Sequence, residues 1–210
     1  MSETHDEALV AALWRVIAAH GWPGLTMGRL AAEAGLPLAA LREKFPSRLD
    51  ALVLHGRVVD RMVLAGTIPG QGGPARDRLF DVLMRRLDAM QPHRPGILRL
   101  LRDMRQDPGL AALLGPHLSL SMRWMLDAAE IGGEGFRRRA IALGLVGVWL
   151  AAVRAWAEDE SEDLGPTMAA LDRALDRAEQ IARTFRLLPG GAPEAAPDLA
   201  PEPGAPAGEA

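Results

Sequence analysis

The chain has no cysteine and no tyrosine, and aromatic residues make up only 4% of its 210 positions. Without thiols it can form no disulfide, no zinc–thiolate site and no cysteine nucleophile, and their absence suits a reducing cytoplasm. Long uncharged runs are also scarce. The longest, AIALGLVGVWLAAV at 140–153, is shorter than the roughly 20 residues of a bilayer span and reads as a buried core or interface helix. The opening MSETHDEALV is acidic and has neither the basic region nor the apolar core of a signal peptide. The expectation is a soluble, cytoplasmic chain with no stable membrane insertion. Catalytic signatures are missing too. There is no Gly-x-Ser-x-Gly elbow, and the glycines at 70–73 lack the strand and Lys-Ser/Thr of a phosphate-cradling loop. His5, His20, His55, His93 and His117 lie far apart without ligand spacing and are expected at the surface or at helix ends. The acidic AEDESED at 157–163 lacks the central glycine of a calcium loop and reads as a solvated helix end. No enzyme, no metal and no cofactor are expected.

What remains is rich in Ala, Leu and Val interleaved with Arg, Asp and Glu, a mixture that favours helices over strands. No segment alternates, so the fold class is all-α. Net charge is −3, unlike an indiscriminate nucleic-acid binder. Residues 1–60 carry 6 basic against 7 acidic side chains (−1), and residues 61–105 carry 9 against 4 (+5). The arginines behind that excess, 85, 86, 94, 99, 102 and 105, read mainly as a solvated face paired with Asp77, Asp81, Asp88 and Asp103.

Leu9, Val10, Leu13, Trp14, Ile17 and Ala18 recur at helical spacing until Gly21. Thr26 stands where an N-cap belongs before MGRLAAEA. Gly35 ends that helix, and Pro37 suits the first position of the next, PLAALREKF. Ser47, three residues before Asp50, resembles a capping box opening a helix to about Ala65. Leu30, Ala31 and Ala34 facing Leu41 and Phe45 supply the small apolar contacts of a helix-turn-helix. TIPGQGGP at 67–74 then breaks the chain, and helices follow near 75–90, 95–105, 108–129, 134–158 and 166–187. The domains expected are a head at 1–60, a helical body at 61–188 and a disordered Pro/Ala-rich acidic tail at 189–210.

From about Ala8 to Leu54, the helix ending at Gly21-Trp22, LTMGRLAAEAGL and FPSRLDAL together resemble the tetracycline-repressor (TetR) family of regulators. Phe45, Arg48 and Leu52 occupy the places of residues that follow the recognition helix in that family. The resemblance implies a TetR-like fold with a three-helix helix-turn-helix head and a larger helical body. It also implies a homodimer made by the last two long helices, and operator DNA as a partner. By that implication Thr26, Pro37, Leu38, Ala39, Arg42, Lys44 and Arg48 fall at the DNA surface. Pro37 replaces the usual Ser or Thr and Arg42 the usual Tyr; Glu43 faces a polyanion unfavourably, and Leu38 and Ala39 offer contact only to thymine methyls.

In the body, Leu83, Leu87, Met90, Leu101, Met104, Met122, Met125 and Trp149 form apolar, methionine-rich stripes suited to a pocket for a small apolar effector or lipid. Ala140, Gly144, Gly147, Ala151 and Ala155 set small side chains along one helix, where a symmetry mate can approach. A second resemblance rests on RAWAEDESEDLGPTMAALDRAL at 154–175, through Trp156, Asp159, Ser161, Asp163, Thr167, Leu171 and Asp172. It is similar to the end of the ubiquinone-biosynthesis accessory proteins, and implies a lipid or isoprenoid ligand without a DNA function. The leading expectation is an operator-binding regulator that responds to an apolar effector; the accessory role is the alternative.

Overall fold

The structure, a computed structural model, describes residues 3–71 and 73–184; the expected tail at 189–210 lies outside the described residues. Among the described residues the regular elements are helices: α1 (Glu3–Gly24), α2 (Met27–Ala34), α3 (Leu38–Lys44), α4 (Arg48–Ala65), α5 (Ala75–Met90), α6 (Arg94–Met104), α7 (Pro108–Ala128), α8 (Gly135–Glu158) and α9 (Gly165–Thr184). A 3₁₀ turn, Gln91–His93, joins α5 to α6. The head is α1 to α3 with the start of α4. The expected boundary at 60/61 falls inside α4, so head and body share one continuous helix.

Local chemistry accounts for the joints. Gly21 interrupts α1 at φ 70°, a value that L side chains rarely adopt. Thr26 Oγ1 accepts from the Arg29 amide at 3.2 Å and caps α2. Gly35 takes the left-handed conformation, and its N–H returns to the Ala32 carbonyl. At the next joint the outcome differs from the expectation: helix α3 begins at Leu38, and Pro37 sits outside it with extended ψ 143°. The Pro37 carbonyl starts the helix by accepting from Ala40, while its side chain caps nothing. The Asp50 carboxylate accepts from both the amide and the hydroxyl of Ser47, fixing the start of α4.

One core runs through the described chain, from Leu9 and Leu13 in the head through Leu83 and Met122 to Leu171 and Leu175. Each such side chain contributes about 1.5–3 kcal/mol on leaving water. The tightest approach is between α1 and α6. A Cβ added at Gly96 would lie 2.6 Å from the Trp14 carbonyl oxygen, so only glycine allows these backbones so near. Beside it, the Trp22 amide donates to Asp103 Oδ2 at 2.7 Å. Helix α8 is long and apolar enough to cross a membrane, yet Ala142, Leu145, Val148, Trp149, Ala152, Val153 and Trp156 are buried within the protein.

Three expectations need correction. The arginine run is a solvated face only in part: Arg102 and Arg105 are exposed and Arg99 pairs with Asp103 as expected, but Arg86 is buried and ion-paired with Asp60, which also accepts from Ser121 Oγ at 2.5 Å. Arg94 donates to the Trp156 carbonyl at 2.9 Å, and Arg85 to Thr67 Oγ1 at 3.0 Å. His55 is neither at the surface nor at a helix end. Its ring lies in the middle of α4, edge-on to Trp14 at 4.8 Å and 6.0 Å from His93. Within AEDESED, Asp159 is buried although its neighbours Glu160, Glu162 and Asp163 are exposed.

Candidate functional site

The helix-turn-helix turns a short, weakly charged surface outward. Pro37 before α3 and Leu38, Ala39, Ala40, Arg42 and Glu43 on it are exposed, and Leu38 leaves 55% of its surface in water. Lys44 instead turns back to α1, ion-paired with Asp6. Arg48 is also held inside the head. Its guanidinium donates to the carbonyls of Trp22 (3.1 Å) and Leu25 (3.3 Å) and lies 4.4 Å from the Trp22 ring. Arg29 reaches the Gly24 carbonyl at 2.6 Å, and Glu33 is paired with Arg15. Of the DNA-facing cations expected from the sequence, Arg42 alone makes no hydrogen bond or ion pair among the described residues.

The body presents a different surface. Between α8 and α9, over the start of α5 and the end of α7, runs an open apolar groove of about 580 Å³. Ala140, Gly144, Gly147 and Ala151 form one wall, Ala174, Ala178 and Ile181 the other, with Leu79 and Leu126 beneath. Charged groups, Arg76, Glu130, Arg177 and Glu179, also line it. Arg76 is fixed by ion pairs to Asp172 (2.7 Å) and Asp176 (2.6 Å), which raise its pKa above the usual arginine value. Four of the five small residues expected at a dimer contact therefore line this groove, and Ala155 does not. None of the eight residues expected to form the pocket lines it. Leu83, Leu87, Met90, Met122, Met125 and Trp149 are packed in the core, with Leu101 and Met104 partly buried against it.

No family model and no curated protein matches the chain. Solved structures do. A TetR transcriptional regulator from Nitrosomonas europaea superposes with a TM-score of 0.63 at 20% identity, over 83% of this chain and 98% of that one. One from Rhodococcus sp. RHA1 gives 0.58 at 17% identity, over 83% and 94%. A TetR-family regulator from Streptomyces coelicolor gives 0.55 at 15% identity, over 86% and 85%. The fold is that of the TetR regulators.

On that TetR frame the second resemblance falls at the corner between α8 and α9. Asp159 Oδ1 accepts from the Ser161 amide (3.0 Å) and hydroxyl (2.5 Å), while Oδ2 accepts from the Thr167 amide (3.0 Å) and hydroxyl (2.6 Å). Hydrogen bonds from Ser161 and then Thr167 hold the Asp159 carboxyl well below its ordinary range. Trp156, Thr167 and Leu171 are fully buried, and Asp172 holds Arg76 at the groove. Of that motif, Trp156, Asp159, Thr167 and Leu171 form a capped, buried corner joining the two groove walls, whereas Asp163 and Asp172 are exposed. Spacing alone did not expose the groove, because it needs four helices to converge. The legible signal was the small-residue stripe, which marks a close approach but not what approaches.

Proposed function

We propose that this chain uses the TetR frame as a homodimeric binder of an apolar, lipid-like molecule, with sequence reading of DNA reduced or lost. The observation that carries the reading is the surface of α3. Affinity for DNA comes chiefly from phosphate contacts by Lys and Arg. Here Lys44 and Arg48 are engaged within the head, and Leu38, Ala39 and Ala40 occupy the outward face. The groove supports the other half of the proposal. Its volume lies within the roughly 300–1,000 Å³ of small-molecule sites, and its walls are apolar. An apolar chain fits along it with a polar end near Arg76 and Arg177. Phe136, Leu143 and Leu150 are exposed along α8 and Ile181 on α9, offering a ridge on which a second copy closes the open side. For the ubiquinone-accessory class the support is the sequence resemblance of residues 154–175 alone.

Lipid extraction from the purified protein, read by mass spectrometry, tests this. An apolar lipid is expected with the wild type and absent from Gly147→Trp, which fills the groove from a position with open space around its Cβ. A folded wild type that carries no lipid and takes up none from vesicles would refute it. The operator-binding reading keeps one specific support: the exposed Arg42 on a well-formed helix-turn-helix. Crosslinked-DNA enrichment decides between the two. Discrete peaks lost in Arg42→Ala would restore the regulator.

A further inference from the structure

We infer that the shelf formed by α4 and α7, away from the α8–α9 groove, docks on an anionic lipid surface. Leu113, Leu120 and Trp124 stand at positions i, i+7 and i+11 of α7, in one line about 16 Å long. They leave 59%, 51% and 49% of their surfaces in water, while Ser121, Met122, Met125 and Leu126 on the opposite side are buried. The row is therefore an uncovered stripe on a helix whose other face is already used. Trp124 also meets α4, where it shares a shallow depression with Arg57, Asp60, Arg61, Leu64 and Ala65.

Charge identifies the occupant. Helices α4 and α7 contain three carboxylates, and each is engaged within the protein. Asp50 accepts from Ser47, Asp60 is paired with buried Arg86, and Asp127 is paired with Arg138. Exposed Arg57 and Arg123 have no carboxylate partner among the described residues. A row of two leucines and a tryptophan, with exposed His117 among them and arginines beside it, matches the boundary between headgroups and acyl chains. The apolar side chains enter the acyl region, the indole sits at the interface, and the guanidiniums meet lipid phosphates. A nucleic-acid backbone would match the arginines but leave the row in water.

Co-sedimentation of the full chain with vesicles tests the inference, using phosphatidylcholine alone or with phosphatidylglycerol added. Binding is expected only to the anionic vesicles and is expected to weaken with salt. It should fall about fivefold for each of Arg57→Ala and Arg123→Ala, and vanish in Leu120→Asp/Trp124→Asp. A blue shift in tryptophan emission on binding should be missing in Trp124→Phe. The substituted side chains are half exposed, so an unchanged thermal melt should verify folding of each variant. The inference is overturned by no binding, by equal binding to neutral vesicles, or by a double variant that binds like the wild type. Failure with vesicles but retention on immobilised polyglutamate would reassign the shelf to an acidic protein partner. Lipid extraction reads the groove separately, so failure of either proposal leaves the other measurable.

Discussion

Lys44 and Arg48 carry positive charge at the head, yet each is held by the fold rather than offered to a ligand. Lys44 is the first cause of the lowered Asp6 pKa, so the pair contributes stability above the ordinary carboxylate value of 3.8 and loses it as pH falls further. Both partners are partly solvated, so Lys44→Ala should cost less than about 1 kcal/mol in urea denaturation. A loss several times larger would mean that the pair organises the head. His55 offers a sharper test. Burial, then His93 and Arg86, push its pKa from 6.5 down to about 3. The unfolded chain therefore binds a proton that the folded chain refuses. Stability is full above pH 6.5 and declines as pH falls from 6.5 towards 3, by at most ~1.4 kcal/mol per unit. His55 Nδ1 and Trp14 Nε1 have no hydrogen-bond partner among the described residues, so His55→Leu forfeits no bond at Nδ1. Its stability should vary less than that of the wild type between about pH 7 and pH 5; equal slopes would remove His55 as the cause. These roles were not legible in the sequence. Whether Lys44 faces out or in depends on Asp6, 38 residues earlier, and the His55 site is assembled from α1, α4 and the turn before α6.

Helices themselves were legible because their ends are chemically marked. Thr26, Gly35, Ser47 and Asp50 act at the positions their types predict, and α8 ends within the corner that Asp159 caps. Pro37 moved by one position because its ring constrains φ but leaves ψ free to stay extended. Glycines inside helices were harder to read, since the same residue serves opposite purposes. Gly96 is a contact: an alanine there meets the Trp14 carbonyl oxygen and ring, so Gly96→Ala should destabilise by about 1–3 kcal/mol as α1 and α6 are forced apart. Gly144 and Gly147 have nothing near the place of a Cβ. In the isolated protomer, Gly144→Ala and Gly147→Ala should each stabilise α8 by up to about 1 kcal/mol through helix propensity. Thermal melts at concentrations low enough to dissociate any dimer check both signs. A destabilised Gly147→Ala under those conditions would show a packing partner inside the protomer. Together with lipid loss in the same alanine variants, stabilisation would mark these glycines as kept for the groove's occupant.

A TetR regulator works by letting a ligand in the body change the placement of its heads, and that demands a ligand with different contacts in two arrangements of the molecule. In this chain the head is fastened to α6 through the Gly96–Trp14 contact and the Trp22–Asp103 hydrogen bond, and to the body by the continuous helix α4. The groove is lined from α5, α7, α8 and α9 and the segment after α7, and no residue of α1, α2, α3, α4 or α6 reaches it. A molecule bound there has no direct hold on the head. It follows that filling the groove should leave each head in place on its own body, and with it the separation of the two heads in the proposed dimer when the α8–α9 contact between copies is already closed without ligand. Absence of cysteine makes the measurement simple, because Ala39→Cys on the exposed face of α3 carries the only spin label. Electron–electron distance measurements on the proposed dimer, with and without extracted lipid, should give the same distribution. A shift of several ångström on lipid binding would mean that groove and head are coupled after all, and would return the chain to the regulators whose fold it has.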